Sequence, residues 1–221
     1  MIKTYKVLSL LLSYPSRELQ EFLSVAVKEV KEEALLPADK ISGLEIFCND
    51  FIRTDLTDWQ AEYVQLFDYS RSASLHLFEH VKGDSKDRGQ AMVNLMEFYK
   101  ENGMQLTGRE LPDHIPVFLE FLSTLSVTKS AELLAETVNI LERISIALNE
   151  KENLYGKLFQ AIVSLSAKQP DKAITTEMIK NEKPLDLDAE YEEAPVEFGG
   201  FLPDNSQDGT QSVPSCRSGC Q

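Results

Sequence analysis

Cysteine, glycine, proline and basic residues are all scarce in this 221-residue chain, and each shortage excludes something. Three cysteines, Cys48 in mid-chain and Cys216 and Cys220 near the end, do not make a disulfide framework. Cys48 lies among apolar neighbours (IFCNDFI) and reads as a buried thiol, which fits a reducing compartment. The Cys216–Cys220 pair has no further Cys or His nearby to complete a metal site. No apolar run reaches the length of a bilayer-spanning helix. The opening, MIKTYKVLSLLLSYPS, has a lysine and a short apolar stretch but no small-residue cleavage site. It is expected to be the first core helix, not a leader, and the chain is placed in the cytoplasm. There is no glycine-rich phosphate loop, no nucleophile elbow and no dinucleotide fingerprint. With 22 Lys and Arg against 36 Asp and Glu, the net charge is −14. An acidic chain without a basic stripe is not built for nucleic acid, whose binding depends on neutralising phosphates.

What is present is a helical pattern. Hydrophobic residues make up 43% of the chain, enough for a core, and they recur at helical spacing with proline between the periodic segments. Val7, Leu8, Leu11 and Leu12 open the series. Ser16 is positioned to cap a second helix carrying Leu19, Phe22, Leu23, Val27 and Val30, and Pro37 and Asp39 start a third with Leu44, Phe47, Cys48 and Phe51 inward. Thr57 and Gln60 have capping-box spacing ahead of Tyr63, Val64 and Phe67. Ser85 is the expected N-cap of a helix with Met92, Val93, Leu95, Met96 and Tyr99 inward, ending at Asn102-Gly103. Asp113 is the expected cap of the next, with Pro116 in its first turn. Thr128 and Asn153 are expected to cap two more. No alternating strand is evident. The expected fold is all-α, a single compact bundle of seven or eight helices over residues 1–170.

Beyond residue 170 the composition changes. Residues 171–221 hold 11 acids and 4 bases, half of the net charge, and end in a Gly/Ser/Pro/Asn/Gln-rich stretch. Such a segment buries too little apolar surface to offset ordering entropy, so a mostly disordered acidic tail is expected, with room for a short helix near 173–180.

Two segments concentrate the chemistry. Residues 62–93 (EYVQLFDYSRSASLHLFEHVKGDSKDRGQAMV) place a Glu-His pair, a Gly-Asp turn and two arginines between apolar positions, and residues 111–121 (LPDHIPVFLEF) repeat the acid-His theme. Together they can build one polar-rimmed apolar groove, the physical form of a peptide site. The plain alternatives stand beside this. His80 and His114 each follow an acid and suit satisfied core or rim positions. Asp84, Lys86, Asp87 and Arg88 suit a solvated helix start, where acids meet the dipole favourably. Arg71, between small residues, suits an internal partner such as Asp68. His76-Leu-Phe-Glu79-His80 also matches the H-x-x-E-H pattern of zinc hydrolases. Two imidazoles four apart on a helix could share a metal, but no third ligand can be named, so a zinc hydrolase is only the enzyme alternative.

The run YVQLFDYSRSASLHLFEHVKGDSKDRGQAMVNL, with RELPDHIPVFLEFLS downstream, resembles the NarJ-type nitrate reductase assembly chaperones, the delta subunits, within the wider TorD-like group of all-helical chaperones for molybdenum enzymes. The resemblance covers roughly residues 5–165 and is densest over 62–125. Lys82 and Lys86 depart from the family's usual His and Arg, and His76 is not part of its signature. The resemblance implies a dedicated cytoplasmic chaperone and not an enzyme. Its client would be the N-terminal segment of the catalytic (alpha) subunit of respiratory nitrate reductase, in complex with the iron–sulfur (beta) subunit. It would hold the client until the molybdenum cofactor is inserted and membrane attachment can proceed, without binding the cofactor stably, and would be absent from the finished enzyme. A homodimer is compatible, and a sibling chaperone serving a twin-arginine leader is the alternative within the group. The matching positions carry over as a candidate peptide site. Phe67 and Phe78 would form its floor or the fold beneath, with Tyr63 also among the candidates. Glu79, Asp84 and Asp113 would read the peptide's amino terminus or a basic side chain. His80 and His114 would tune pH dependence, and Arg71 and Arg88 would lock the loop, with Asp68 and Glu120 alongside.

Overall fold

The computed structural model describes residues 1–81, 85–106 and 110–180. Among them the fold is all-α, as the periodicity predicts. The helices are α1 Lys3–Leu11, α2 Arg17–Glu33, α3 Ala38–Phe51, α4 Leu56–Phe67, α5 Ser85–Glu101, α6 Ile115–Thr124, α7 Val127–Glu150, α8 Tyr155–Ser164 and α9 Lys172–Lys180. Two single 3-10 turns, Arg71–Ala73 and Leu77–His80, lie between α4 and α5. Eight of these helices fall within residues 1–170. The ninth, α9, lies beyond that boundary and packs on α7.

The leader-like opening is the centre of the bundle. Thr4, Tyr5, Val7, Leu8, Ser9 and Leu11 of α1 are all buried, so the helix is enclosed on nearly every side by α2, α6 and α8. Only Lys3 of the helix is exposed, with Lys6 and Leu10 partly so, and the apolar residues therefore occupy more than one face. Its N-terminus has no local side-chain cap. Instead the Glu33 carboxylate at the end of α2 accepts the amide hydrogens of Lys3 and Thr4, at 2.9 and 2.6 Å. Ala34 then ends α2 in the left-handed region, at φ 55°. From the other side, Ser9 Oγ donates to the Pro116 carbonyl at 2.7 Å.

Several caps differ from expectation. Ser16 caps α2 as predicted, accepting from the Leu19 amide. Thr57, however, is not an N-cap. Asp55 accepts the Thr57 amide at 2.8 Å, and Gln60 donates to the Pro15 carbonyl at 2.8 Å, tying α4 to the turn after α1. The Asp55 carboxylate starts the helix two residues before Thr57, which leaves Thr57 inside the first turn. Ser126, not Thr128, caps α7. Asn153 Oδ1 accepts from the Tyr155 amide at 3.0 Å, close to its expected role. The α7–α8 hairpin closes tightly because residue 156 is glycine: a Cβ there would meet Asn149 Oδ1 at 2.6 Å.

An aromatic cluster joins α3, α4 and α8. Phe47, Phe51, Trp59, Tyr63, Phe67 and Tyr155 pack with ring centroids 4.6–6.1 Å apart. Trp59 Nε1 donates to the Tyr155 hydroxyl at 2.8 Å, and the Tyr63 hydroxyl donates to the Leu12 carbonyl at 2.9 Å, so their polar tips are paired inside the core. Cys48 is buried beside this cluster, and burial pushes its thiol pKa up to about 12.

Helix α5 is less enclosed than its pattern predicts. Tyr99 is fully buried and meets Phe121 at 4.5 Å, while Val93 and Met96 are about half exposed. The expected cap at its start concerns the Ser85 side chain, which, like Lys82, Gly83 and Asp84, lies outside the described residues. Its end at Asn102-Gly103 is as expected, with Gly103 at φ +85°.

Candidate functional site

The two sequence segments meet, but at a buried joint. The main chain of Leu75–Leu77 pairs antiparallel with Asp113–Ile115: the Leu77 amide donates to the Asp113 carbonyl at 3.0 Å, and the Ile115 amide to the Leu75 carbonyl at 2.8 Å. Asp113 is 0% exposed. Its carboxylate takes the Phe78 amide at 3.1 Å and His76 Nδ1 at 3.2 Å. It therefore does not cap α6, the role its spacing suggested, but holds the 3-10 turn of residues 77–80 against the start of α6. The geometric reason is Pro116: with Pro in the first turn, α6 presents one amide fewer, and the carboxylate is used across the joint instead.

The imidazoles are drawn into the same joint. His76 and His114 stack with centroids 5.1 Å apart and planes inclined by 28°. Asp113 raises the His76 pKa, its hydrogen bond outweighing partial burial. Burial, with the neighbouring His76 charge adding, pushes His114 down to about 4. His114 Nδ1 lies 3.5 Å from a Glu110 carboxylate oxygen without a hydrogen bond forming. The pair is thus one cationic-leaning and one neutral ring over one buried carboxylate.

His80 is held elsewhere. Its Nε2 lies 2.8 Å from the Ser74 carbonyl, and its Nδ1 meets the guanidinium of Arg143, a buried residue of α7. Arginine only donates and a carbonyl only accepts, so this arrangement requires the neutral Nε2–H ring. Both nitrogens of His80 are engaged by protein groups, and His76 points to Asp113. The H-x-x-E-H residues lie on a 3-10 turn and its approach, not an α-helix, and do not converge on a common point. Among the described residues no group of three or more His, Cys, Asp or Glu is arranged to hold a metal.

The remaining candidates divide by depth. Tyr63 and Phe67 are buried in the aromatic cluster, and Phe78 is half-buried against the core. Glu79, Asp68 and Arg71 are exposed, Arg88 is half-buried on α5, and no ion pair joins Arg71 to Asp68 among the described residues. Glu120 pairs with Lys6 across the α1–α6 contact. Asp84 lies outside the described residues. The eleven candidates within the described residues fall at several depths. Some build the joint, some the core, and three face solvent.

An open cleft of about 620 Å³ lies along α4, lined by Tyr14, Thr57, Gln60, Ala61, Val64, Gln65 and Tyr69. Sequence reasoning assigned none of these to a site. Tyr14 and Tyr69 form aromatic walls, 54% and 75% exposed. The Tyr14 ring packs edge-on over the buried Tyr63 at 5.5 Å, and the main-chain amide of Tyr69 donates to the Val64 carbonyl at 3.2 Å. The usable signal was the unspent tyrosines themselves, one before Pro15 and one just past the end of α4, with no apolar partner in the helical pattern.

Comparison with known proteins gives a consistent picture. The family model of the nitrate reductase delta subunit matches residues 16–161. The nitrate reductase molybdenum cofactor assembly chaperone NarJ of Escherichia coli K12 is 39% identical over 196 residues, covering 87% of this chain and 83% of that chaperone. NarW of the same organism, named as a candidate for the same assembly role, is 36% identical over 197 residues, covering 87% of this chain and 82% of NarW. A crystal structure of a candidate redox enzyme maturation protein from Archaeoglobus fulgidus superposes with a TM-score of 0.53 at 25% identity, covering 74% of this chain and 91% of that one.

Proposed function

We propose, from the premise that this chain belongs to the NarJ-type nitrate reductase assembly chaperones, that it binds the N-terminal segment of the nitrate reductase catalytic subunit before cofactor insertion. Binding takes place in the cytoplasm, on a catalytic subunit already joined to its iron–sulfur partner, and ends once the molybdenum cofactor is in place. The helical body carries the recognition and no cofactor stays on the chaperone. The observation that carries this reading is identity across nearly the whole body to a molybdenum cofactor assembly chaperone. The surface supports it, because solvent-facing apolar and aromatic side chains occur beside acids on a chain of net charge −14. Such a surface suits a segment that is apolar on one side and basic on the other. Release requires only that the segment prefer its place in the mature enzyme over the chaperone.

Calorimetric titration of the full chain with a peptide of about 15 residues from the catalytic subunit's N-terminus, some 22 Å long as a helix, tests this. Saturable binding that a twin-arginine leader peptide does not displace is expected. Displacement by the leader would assign the chain to another molybdenum enzyme, and absence of binding would refute recognition of this segment.

A further inference from the structure

We propose that the cleft along α4 is where the client segment docks, seating one bulky apolar side chain between Tyr14 and Tyr69 and a Lys or Arg at each end. This rests on the peptide binding proposed above and names its site. The cleft has the two parts such a ligand needs. Ala61 and Val64 of its lining are apolar, and its two walls are phenol rings, that of Tyr14 packed on Tyr63 and that of Tyr69 carried by a main chain bonded to Val64. Exposed tyrosines offer large contact area with few rotatable bonds to order, and their faces also attract cations.

Charge selects the occupant. Asp58, Ala61, Gln65 and Asp68 follow one another at helical i, i+3, i+4 spacing, so they form one stripe along α4 with an exposed acid at each end of the cleft. No basic residue occurs in α4. Asp58 lies in the first turn, where the dipole welcomes an acid, but Asp68 is the C-cap, where it does not. A cation delivered by a partner would relieve that position. Ten helical steps separate the two acids, about 15 Å, so a docked helix would carry its basic residues about ten positions apart. The joint at Asp113, by contrast, is closed: its carboxylate has no exposed surface.

The test is titration of the full chain with the N-terminal peptide of the catalytic subunit, and with the same peptide carrying Glu in place of its Lys and Arg. Ala61→Arg plugs the cleft from an exposed helical position, and Tyr69→Ala removes the more exposed wall. Each is expected to raise Kd about tenfold or more with the circular dichroism spectrum unchanged, as for loss of an aromatic anchor. Asp58→Asn with Asp68→Asn is expected to flatten the salt dependence, and the Glu-substituted peptide to bind weakly. Glu79→Ala and Arg71→Ala, exposed residues of the 71–80 segment, are expected to bind like the unmodified protein. If the unmodified chain binds and both cleft variants bind equally well, the cleft assignment is overturned while the chaperone reading stands. Weakening by Glu79→Ala alone would move the site to the 71–80 segment. If the unmodified chain does not bind, the reading beneath the assignment fails, and the assignment with it.

Discussion

Replacing Asp113 by alanine is the most informative single perturbation of the fold. The carboxylate is fully buried, bonds the Phe78 amide and His76, and joins two segments 35 residues apart. Hydrogen bonds to charged groups contribute about 1.5–3 kcal/mol each, and this carboxylate takes part in two. Asp113→Ala should therefore destabilise by about 3–5 kcal/mol, a large share of the roughly 5–15 kcal/mol a domain possesses. At a slope of about 2 kcal/mol per molar, the urea midpoint followed by circular dichroism should fall by about 1.5–2.5 M. Asp113→Asn keeps an acceptor for the Phe78 amide and should lose clearly less. The two variants also separate by pH. His76 has a raised pKa in the folded state, so its contribution is complete below its unfolded value of about 6.5 and is lost as pH rises through the folded value. Asp113→Asn should remove that dependence. A midpoint shift under about 0.3 M for Asp113→Ala would refute the joint as a source of stability.

Other consequences follow from the same geometry. His114 is held neutral, with its pKa at about 4, so stability should decline as pH falls from about 6.5 to 4. That shift corresponds to about 3 kcal/mol, and His114→Phe should flatten the acid limb of a stability–pH curve. Glu33→Ala removes the distant cap of α1 and should cost about 1–2 kcal/mol in urea unfolding, where an ordinary helix-surface Glu would cost almost nothing. Tyr155→Phe strands the Trp59 indole N–H and should cost about 1–3 kcal/mol, with a change in tryptophan emission. Cys48, buried and with its thiol pKa near 12, should react with a thiol reagent only on the timescale of unfolding, as mass spectrometry of the labelled chain would reveal.

Helical class and most helix positions were legible because they depend on period and caps that are local. Ser16 before Leu19 and Gly103 after α5 act within a few residues, and both did what their types suggest. What escaped was set by distant neighbours. Glu33 caps a helix that begins 30 residues earlier, and Gln60 of the expected capping box reaches the Pro15 carbonyl instead. Asp113 looked like a helix cap because sequence supplies its type and not its depth. Among the motif residues, His76, Phe78, Asp113 and His114 join the 74–80 and 111–115 segments. A residue strongly marked in a family can serve a joint as readily as a ligand. The cleft was invisible for the opposite reason: Tyr14 and Tyr69 stand 55 positions apart in sequence and are brought together only by α4.

The claim that this chaperone grips the client's N-terminal segment before maturation is tested most directly by capture of the catalytic subunit in defined states. Tagged chaperone would be presented with cofactor-free catalytic subunit, the same subunit lacking its first 15 or so residues, and the molybdenum-loaded enzyme. Capture of the intact cofactor-free form alone is expected. Equal capture of the truncated or the loaded form would contradict it.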